Sequence, residues 1–434
     1  MKVCLLNDSF PPTIDGVANA TLNYARVIRR ELGECVVATP EYPGAEDDYD
    51  FPVVRYSSLN TTKLVGYRAG VPEPSTLYKL AAEKPDIIHS HCPVSSTILA
   101  HSLREITGAP VVLTYHTKFD VDIRNAIKGE LMQETLIRAL VSTISSCDEV
   151  WTVSRGAGEN LESLGYTGPW RVMENGVDFT RGRASEEQVR AVTGAYDLPE
   201  GLPIFLFVGR LMWYKGIRII LDGLARRMNG GTDFRMVFVG SGGDEEEIRR
   251  YVASCNLEKK TVFTGPIRDR EALRAWYTRA DLMLFPSTFD TNGLVVREAA
   301  ACGLASVLVA GSCAAEGVAD GDTGLLISED GESLAAALDA INTEKCREIG
   351  RRAQEELYLS WDESVHRAWE RYGEILSDWN PASAKKRGFM PVADMVGSVL
   401  EFHEMMERVK QKAGEAFSPR HSATSRAEKR GKEK

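Results

Sequence analysis

Several chemistries can be struck out of this sequence before any is found in it. None of its eight cysteines pairs as C-x-x-C, so zinc ribbons and thioredoxin-type redox chemistry find no support. Several of them sit in apolar runs, as the reduced core thiols of a cytosolic protein do. No run of 18 apolar residues occurs, so nothing reads as a membrane span. The apolar stretch after Lys2 ends at Asn7 and Asp8, too soon for a signal peptide. A basic excess is missing too. The formal net charge is -10, which argues against a generic nucleic-acid binder, because phosphate backbones demand a basic face. The first strand-to-helix turn lacks G-x-G-x-x-G, which disfavours a nicotinamide site. His89 and His91 share one face of a strand, but no third ligand accompanies them, and no metal is expected. Asp48-Tyr49-Asp50 has the D-x-D form of a divalent-metal clamp. It lies in an acidic loop rather than at a strand end and is read as a decoy.

What remains is a long α/β chain. Its 434 residues, 43% hydrophobic, suffice for two ordinary domains, each with a core. Short apolar strands such as KVCLLN, CVVAT, DIIHS, PVVLTY, EVWTV and WRVM alternate with helical spacing, for instance at residues 95–107 and 131–147. This rhythm predicts a doubly wound parallel sheet with helices on both faces. It breaks in ENGVDFTRGRASEEQ, residues 174–188, and restarts with PIFLFVG. The expected organisation is a first Rossmann-like domain over 1–180 and a second over 190–360. A helix over 361–380 follows, then a helical extension over 381–417 and a disordered basic tail over 418–434. Two such sheets imply a ligand cleft at the carboxyl ends of their strands.

The turns facing that cleft carry the candidates. Gly16 precedes a helix and leaves room for a phosphate or sugar at the helix N-terminus, or it belongs to an ordinary Pro-rich loop. Arg210 and Lys215 follow the first strand of the second half. A planar guanidinium and a mobile ammonium suit a diphosphate, and a solvated basic loop is the plainer alternative. Gly240 and Gly242 either open backbone to a ligand or make a tight turn with Asp244 capping the next helix. Ile267 and Arg268 lie at a turn where backbone groups can read a base edge. His116 ends a first-half strand and faces the cleft. STFDTNGLVVREAAACG places Asp290 before a Gly-led helix and Glu298 inside it, with Asn292, Gly293, Leu294 and Val295 presenting backbone N–H groups between them.

Taken in order, GRLMWYKG, VGSGG, FTGPI, PSTFDTNGLVVREAAACG and VMENGVD resemble the retaining glycosyltransferases of the GT-B fold, family 4. The resemblance covers roughly residues 2–376. The family's usual E-x7-E appears here as Asp290-x7-Glu298. The F-D-T setting and the YHT segment look like the lipid-sugar branch, which includes diacylglycerol glucosyltransferases.

The resemblance implies a nucleotide-sugar donor. Glu298 would bind ribose hydroxyls and Asp290 hexose hydroxyls. Arg210, Lys215 and the N–H groups from Asn292 to Val295 would hold the diphosphate, with Gly16 approaching from the other domain. Gly240, Gly242 and Ile267 would line the nucleotide, and His116 would orient the reacting carbon. The 361–380 helix would cross back to brace the first domain. Preorganised cations and N–H dipoles can stabilise a leaving diphosphate without a metal, at about 3–4 kcal/mol for each donor. No cofactor is therefore expected, and front-face attack is the reading for retention. UDP-glucose or UDP-galactose is the expected donor and a lipid such as diacylglycerol the acceptor. The alternatives are a GDP-mannose enzyme acting on a phosphoinositide or saccharide, and a non-catalytic nucleotide-sugar or glycan binder. The expected location is cytoplasmic, with peripheral contact at the inner face of the cell membrane as an option. The segment RNAIKGELMQETLIRALV carries that option through Leu131, Leu136, Ile137, Leu140 and Val141, and a core-facing helix is its alternative. The acidic balance of the first half weighs against a membrane.

Overall fold

The computed structural model describes residues 1–384 except 14, 61–67, 127–128 and 232. The stripe at Met395, Val399, Phe402, Met406 and Val409 and the basic tail lie outside the described residues.

Two parallel sheets organise the chain. The first contains β1 (Lys2–Leu6), β2 (Glu34–Pro40) and β3 (Val53–Tyr56). After a small antiparallel pair, β4 (Ser58–Leu59) with β5 (Ala69–Gly70), come β6 (Ile87–Ser90), β7 (Val111–Tyr115), β8 (Glu149–Thr152) and β9 (Arg171–Val172). The order is β3-β2-β1-β6-β7-β8-β9. The second sheet holds β10 (Ile204–Val208), β11 (Arg235–Val239), β12 (Thr261–Gly265), β13 (Leu282–Leu284), β14 (Ser306–Val309) and β15 (Leu325–Ile327), in the order β12-β11-β10-β13-β14-β15. Central strands such as β1, β7 and β10 read as near-continuous apolar runs because helices cover both faces of each sheet.

The strand order places the site. Chain direction across the first sheet reverses between β1 and β6, and across the second between β10 and β13. A crevice opens outside the carboxyl ends of strands at such reversals. The turn leading to Gly16 follows β1, and the turn carrying Arg210 follows β10.

The helix Trp361–Asp378 comes after the second sheet but packs on the first. Ser360 and Glu363 close a capping box at its start. Trp361, Val365, Ala368, Tyr372 and Ile375 join a core with Val3, Leu5, Ile87 and Trp151. Tyr372 stacks on Trp151 at 5.3 Å between ring centroids, and its hydroxyl is 2.5 Å from His89 Nδ1. Arg371 donates to both carboxylate oxygens of Glu149, at 2.8 and 2.5 Å.

Some elements escape the apolar periodicity. The helix Glu186–Thr193 begins inside the stretch that reads as irregular. It starts there because Ser185 and Gln188 form a second capping box, which needs no apolar stripe. The helix Arg155–Ser163 carries two glycines and few apolar residues, and β3 to β5 are short. In the helix Glu130–Ser145, Ile137, Leu140, Val141 and Ile144 are buried in the core, while Leu131 is 77% exposed. That face of the segment serves packing. Lys128 lies outside the described residues.

Replacing Tyr372 with Phe strips the hydroxyl from a fully buried His89 nitrogen. The expected loss is about 1–3 kcal/mol. It should appear as a lower urea midpoint with an unchanged far-UV spectrum, and an unaltered midpoint would show that the bond is not part of the brace.

Candidate active site

The second half contributes two carboxylates, each already paired. Lys215 is buried, and its Nζ lies 2.6 Å from Asp290 Oδ1. Ser287 Oγ donates to Asp290 Oδ2 at 2.5 Å. Tyr214 and Phe289 flank the ammonium, with ring centroids 5.7 and 5.5 Å from it. Lys215 and Asp290, which the sequence assigns to different parts of a ligand, therefore neutralise each other here. Glu298 is buried as well. Arg270 Nη2 donates to its Oε1 at 2.6 Å and the Tyr277 hydroxyl to its Oε2 at 2.8 Å. Burial raises the Glu298 carboxyl above its usual range, and the Arg270 charge opposes that shift.

Between the two acids the backbone turns sharply. Gly293 has φ +59°, and a Cβ there would sit 2.8 Å from Ala314 Cβ, so only glycine fits. It opens the helix Leu294–Ala301, and no side chain caps that end. The side-chain nitrogen of Asn292 is buried without a hydrogen-bond acceptor. An uncapped N-terminus and an unpaired amide thus lie side by side, which is the composition of an anion site. Arg210 is exposed nearby, its guanidinium 5.9 Å from the Tyr214 ring.

Other residues singled out in the sequence are placed differently. Gly240 and Gly242 serve a close approach of neighbouring turns. A Cβ on Gly240 would meet Gly209 O at 1.9 Å, and one on Gly242 would meet Leu211 O at 2.2 Å. Asp244 does not cap its own helix through its side chain. Its carboxylate accepts from Trp213 N at 2.9 Å instead. Ile267 is partly buried against the second core. In the loop before β3, Asp47 pairs with Arg55, and Tyr49 stacks on Phe51, which ties the acidic loop to the first half's framework.

The first half brings Gly16 and His116. Gly16 starts the helix Gly16–Val27, and a Cβ on it would lie in van der Waals contact with Leu294 of the second half, at 3.9 Å. Asp15 caps that helix, accepting from Val17 N and Ala18 N at 2.8 and 2.7 Å. A phosphate at this end must displace a carboxylate. His116 is buried, with Nε2 3.0 Å from His91 Nδ1 and Nδ1 3.5 Å from the Asn175 amide. Burial lowers its pKa to about 3, so the imidazole is neutral. Its carbonyl accepts from Thr291 Oγ1 at 2.7 Å. His89 bonds Tyr372 and Thr114. Among the described residues no three His, Cys, Asp or Glu side chains gather as a metal-holding group.

Contacts between the halves surround this site. Ser154 Oγ donates to Thr291 O. Arg297 reaches Glu174 Oε1 at 3.1 Å. Glu316 accepts from Arg155 N and Gly156 N at 2.7 and 2.6 Å, capping a first-half helix from the second half. Sequence reasoning missed Arg270, Tyr277, Ser287 and Thr291.

Residues 14–181 match the family described as Glycosyltransferase Family 4, and residues 191–356 match Glycosyl transferases group 1. Among curated relatives, the sulfoquinovosyl transferase SQD2 of Arabidopsis thaliana is 27% identical, over 86% of this chain and 70% of its own length. A GDP-mannose-dependent alpha-mannosyltransferase of Mycolicibacterium smegmatis is 28% identical, over 80% and 90%. The alpha-monoglucosyldiacylglycerol synthase of Streptococcus pneumoniae is 22% identical, over 70% of each chain. The solved structure of Anabaena Alr3699/HepE in complex with UDP and glucose superposes with a TM-score of 0.66 at 20% identity, covering 87% of this chain and all of that one.

His89, His91, His101 and His116 are all held neutral by burial, so the unfolded chain binds protons that the folded one does not. Stability is complete above the unfolded imidazole pKa near 6.5 and is lost as pH falls below it. Asp8 and Glu298, whose carboxyls burial raises, act in the opposite direction as pH falls toward their unfolded values near 4. Urea midpoints at pH 7.5, 6.5 and 5.5 should fall steadily, and imidazole NMR shifts that titrate near 6.5 in the folded protein would show the four rings not held neutral.

Proposed function

The chain is a glycosyltransferase with the GT-B fold, and on that premise we propose that it transfers glucose or galactose from a UDP-sugar to a lipid hydroxyl with retention of configuration. The observation that carries this reading is the Asn292–Leu294 segment, a bare helix end with an unpaired buried amide, set between two acids that are each neutralised by a cation. A diphosphate fits the bare end. Asp290 and Glu298, relieved of part of their charge, accept from neutral hydroxyls on either side, the hexose and the ribose.

On binding, Arg210 turns toward the diphosphate, and the Lys215 ammonium, with three N–H donors, reaches it while keeping Asp290 as its partner. The bond from the anomeric carbon to the diphosphate oxygen breaks, and charge grows on the leaving group, where the cations and N–H groups already point. The acceptor hydroxyl attacks from the same face, and its proton passes to the leaving phosphate oxygen. Neutral His116 serves as a hydrogen-bonding partner of the sugar through Nδ1, which Asn175 holds only at 3.5 Å. Gly16 lets backbone approach the phosphates from the opposite side. Neither a metal ion nor an organic cofactor takes part in this scheme. Trapping a glycosylated side chain in a single turnover would replace front-face attack with a covalent route.

A lipid acceptor is supported by the similarity to the diacylglycerol-named relative, and exposed Leu131 and Met132 offer apolar side chains for peripheral bilayer contact. A second reading, mannose from GDP-mannose to a phosphoinositide or saccharide, is favoured by the similarity to the mannosyltransferase. No helix among the described residues is long and apolar enough to cross a membrane.

A thermal-shift panel of UDP-, GDP- and ADP-sugars separates the two readings. UDP-glucose or UDP-galactose should raise the melting temperature and release UDP in diacylglycerol micelles; a response to GDP-mannose alone selects the second. Arg210→Ala should lower kcat/KM about 100- to 1,000-fold. The melting temperature should hold, because the side chain is exposed. Near-normal rates would remove Arg210 from the diphosphate site.

A further inference from the structure

Glu298 depends on more than its immediate cation. Arg270 begins the helix Arg270–Arg279, and its guanidinium lies over the Phe179 ring at 4.3 Å. The same Nη2 that reaches Glu298 lies 3.8 Å from Asp178 Oδ2. Asp178 belongs to the chain that joins the two sheets. Its oxygens accept from Asn19 Nδ2 and Asn23 Nδ2, both at 2.9 Å. Asn19 and Asn23 stand one turn apart on the helix that starts at Gly16. Asn23 also donates to Asn19 O at 2.9 Å, which fixes the pair's orientation.

One guanidinium is thus shared by two carboxylates. One is the buried acid of the second half, and the other is held by two amides of the first half's opening helix. A guanidinium placed between two acids rests where both attract it. The contacts form a continuous chain from the helix through Asp178 and Arg270 to one oxygen of Glu298. The Tyr277 hydroxyl anchors the other oxygen.

We propose that Asp178, Arg270 and the Asn19–Asn23 pair are positioning residues that set Glu298 for the ribose hydroxyls and tie that setting to the placement of the Gly16–Val27 helix. The inference rests on the ribose role given to Glu298 above. The arrangement makes nucleotide reading sharpest when the first half's helix is seated at the cleft, where Gly16 also meets the donor.

The test compares kcat/KM for UDP-glucose with that for 2′-deoxy-UDP-glucose, or the GDP-mannose pair if the donor panel selects it. Wild type, Glu298→Ala, Asp178→Asn and Asn19→Ala/Asn23→Ala are measured, each with its melting temperature. Wild type should prefer the ribose donor by about tenfold or more, the worth of a lost hydrogen bond to a charged group. Glu298→Ala should bring the ratio close to one. Asp178→Asn and the double Asn variant should cut it severalfold, mainly through KM. If Glu298→Ala removes the preference while those two variants keep it, or lose rate equally with both donors, the relay is overturned and the ribose role stands. If Glu298→Ala leaves the preference unchanged, the ribose role fails and the relay fails with it. Asn19→Ala/Asn23→Ala leaves both charges in place, so it separates loss of orientation from loss of charge.

Discussion

Charge pairing inside the cleft is the constraint on which the rest depends. Asp290 and Glu298 bracket a helix N-terminus, where carboxylates would otherwise occupy the very N–H groups that a ligand needs. Each acid is turned aside by its own cation, Lys215 in one case and Arg270 in the other. The Gly293 turn sits between them with no side chain of its own and leaves the helix end bare. The arrangement requires residues from three separate segments of the second half: the turn carrying Lys215, the helix Arg270–Arg279 and the stretch from Ser287 to Glu298. The parallel sheet supplies this by delivering each to the same edge.

The sheets were legible because buried parallel strands are written as apolar runs, and β1, β7, β10 and β11 stand out as such. The helix Ser95–Thr107 was legible to the residue, with Gly108 closing it in a left-handed cap. Elements held by capping or by neighbours rather than by an apolar stripe were not, as in Glu186–Thr193 and Arg155–Ser163. In the site, the spacing of Asp290 and Glu298 was visible because one segment carries both. Their partners come from elsewhere, Lys215 from the turn after β10 and Arg270 and Tyr277 from the helix Arg270–Arg279, and meet them only after folding. Lys215 was recognised as a cation of the cleft, but its pairing with Asp290 is a tertiary fact. Gly240 and Gly242 look like open backbone in a sequence. In the fold they are demanded by the turn that follows β10.

The first half is less a separate partner than a set of polar contacts aimed at the second. The carbonyl of His116, the hydroxyl of Ser154 and the amides of Asn19 and Asn23 all engage residues around the Asp290–Glu298 segment or the chain joining the sheets. The helix Trp361–Asp378 reinforces this by burying an aromatic face on the first sheet after the chain has finished the second. Both ends of the described chain therefore serve the same core, with Val3 and Leu5 beside Tyr372.

Glu316 gives this union a directional character. Its carboxylate completes a helix that begins at Arg155, in the other half of the molecule. Pulling the halves apart would hand those two N–H groups to water while Ser154 Oγ still caps Ala157 N, at a cost of about 1 kcal/mol. The contact holds the two halves together independently of any ligand. That helix therefore draws its capping groups from both halves, Ser154 from its own and Glu316 from the other.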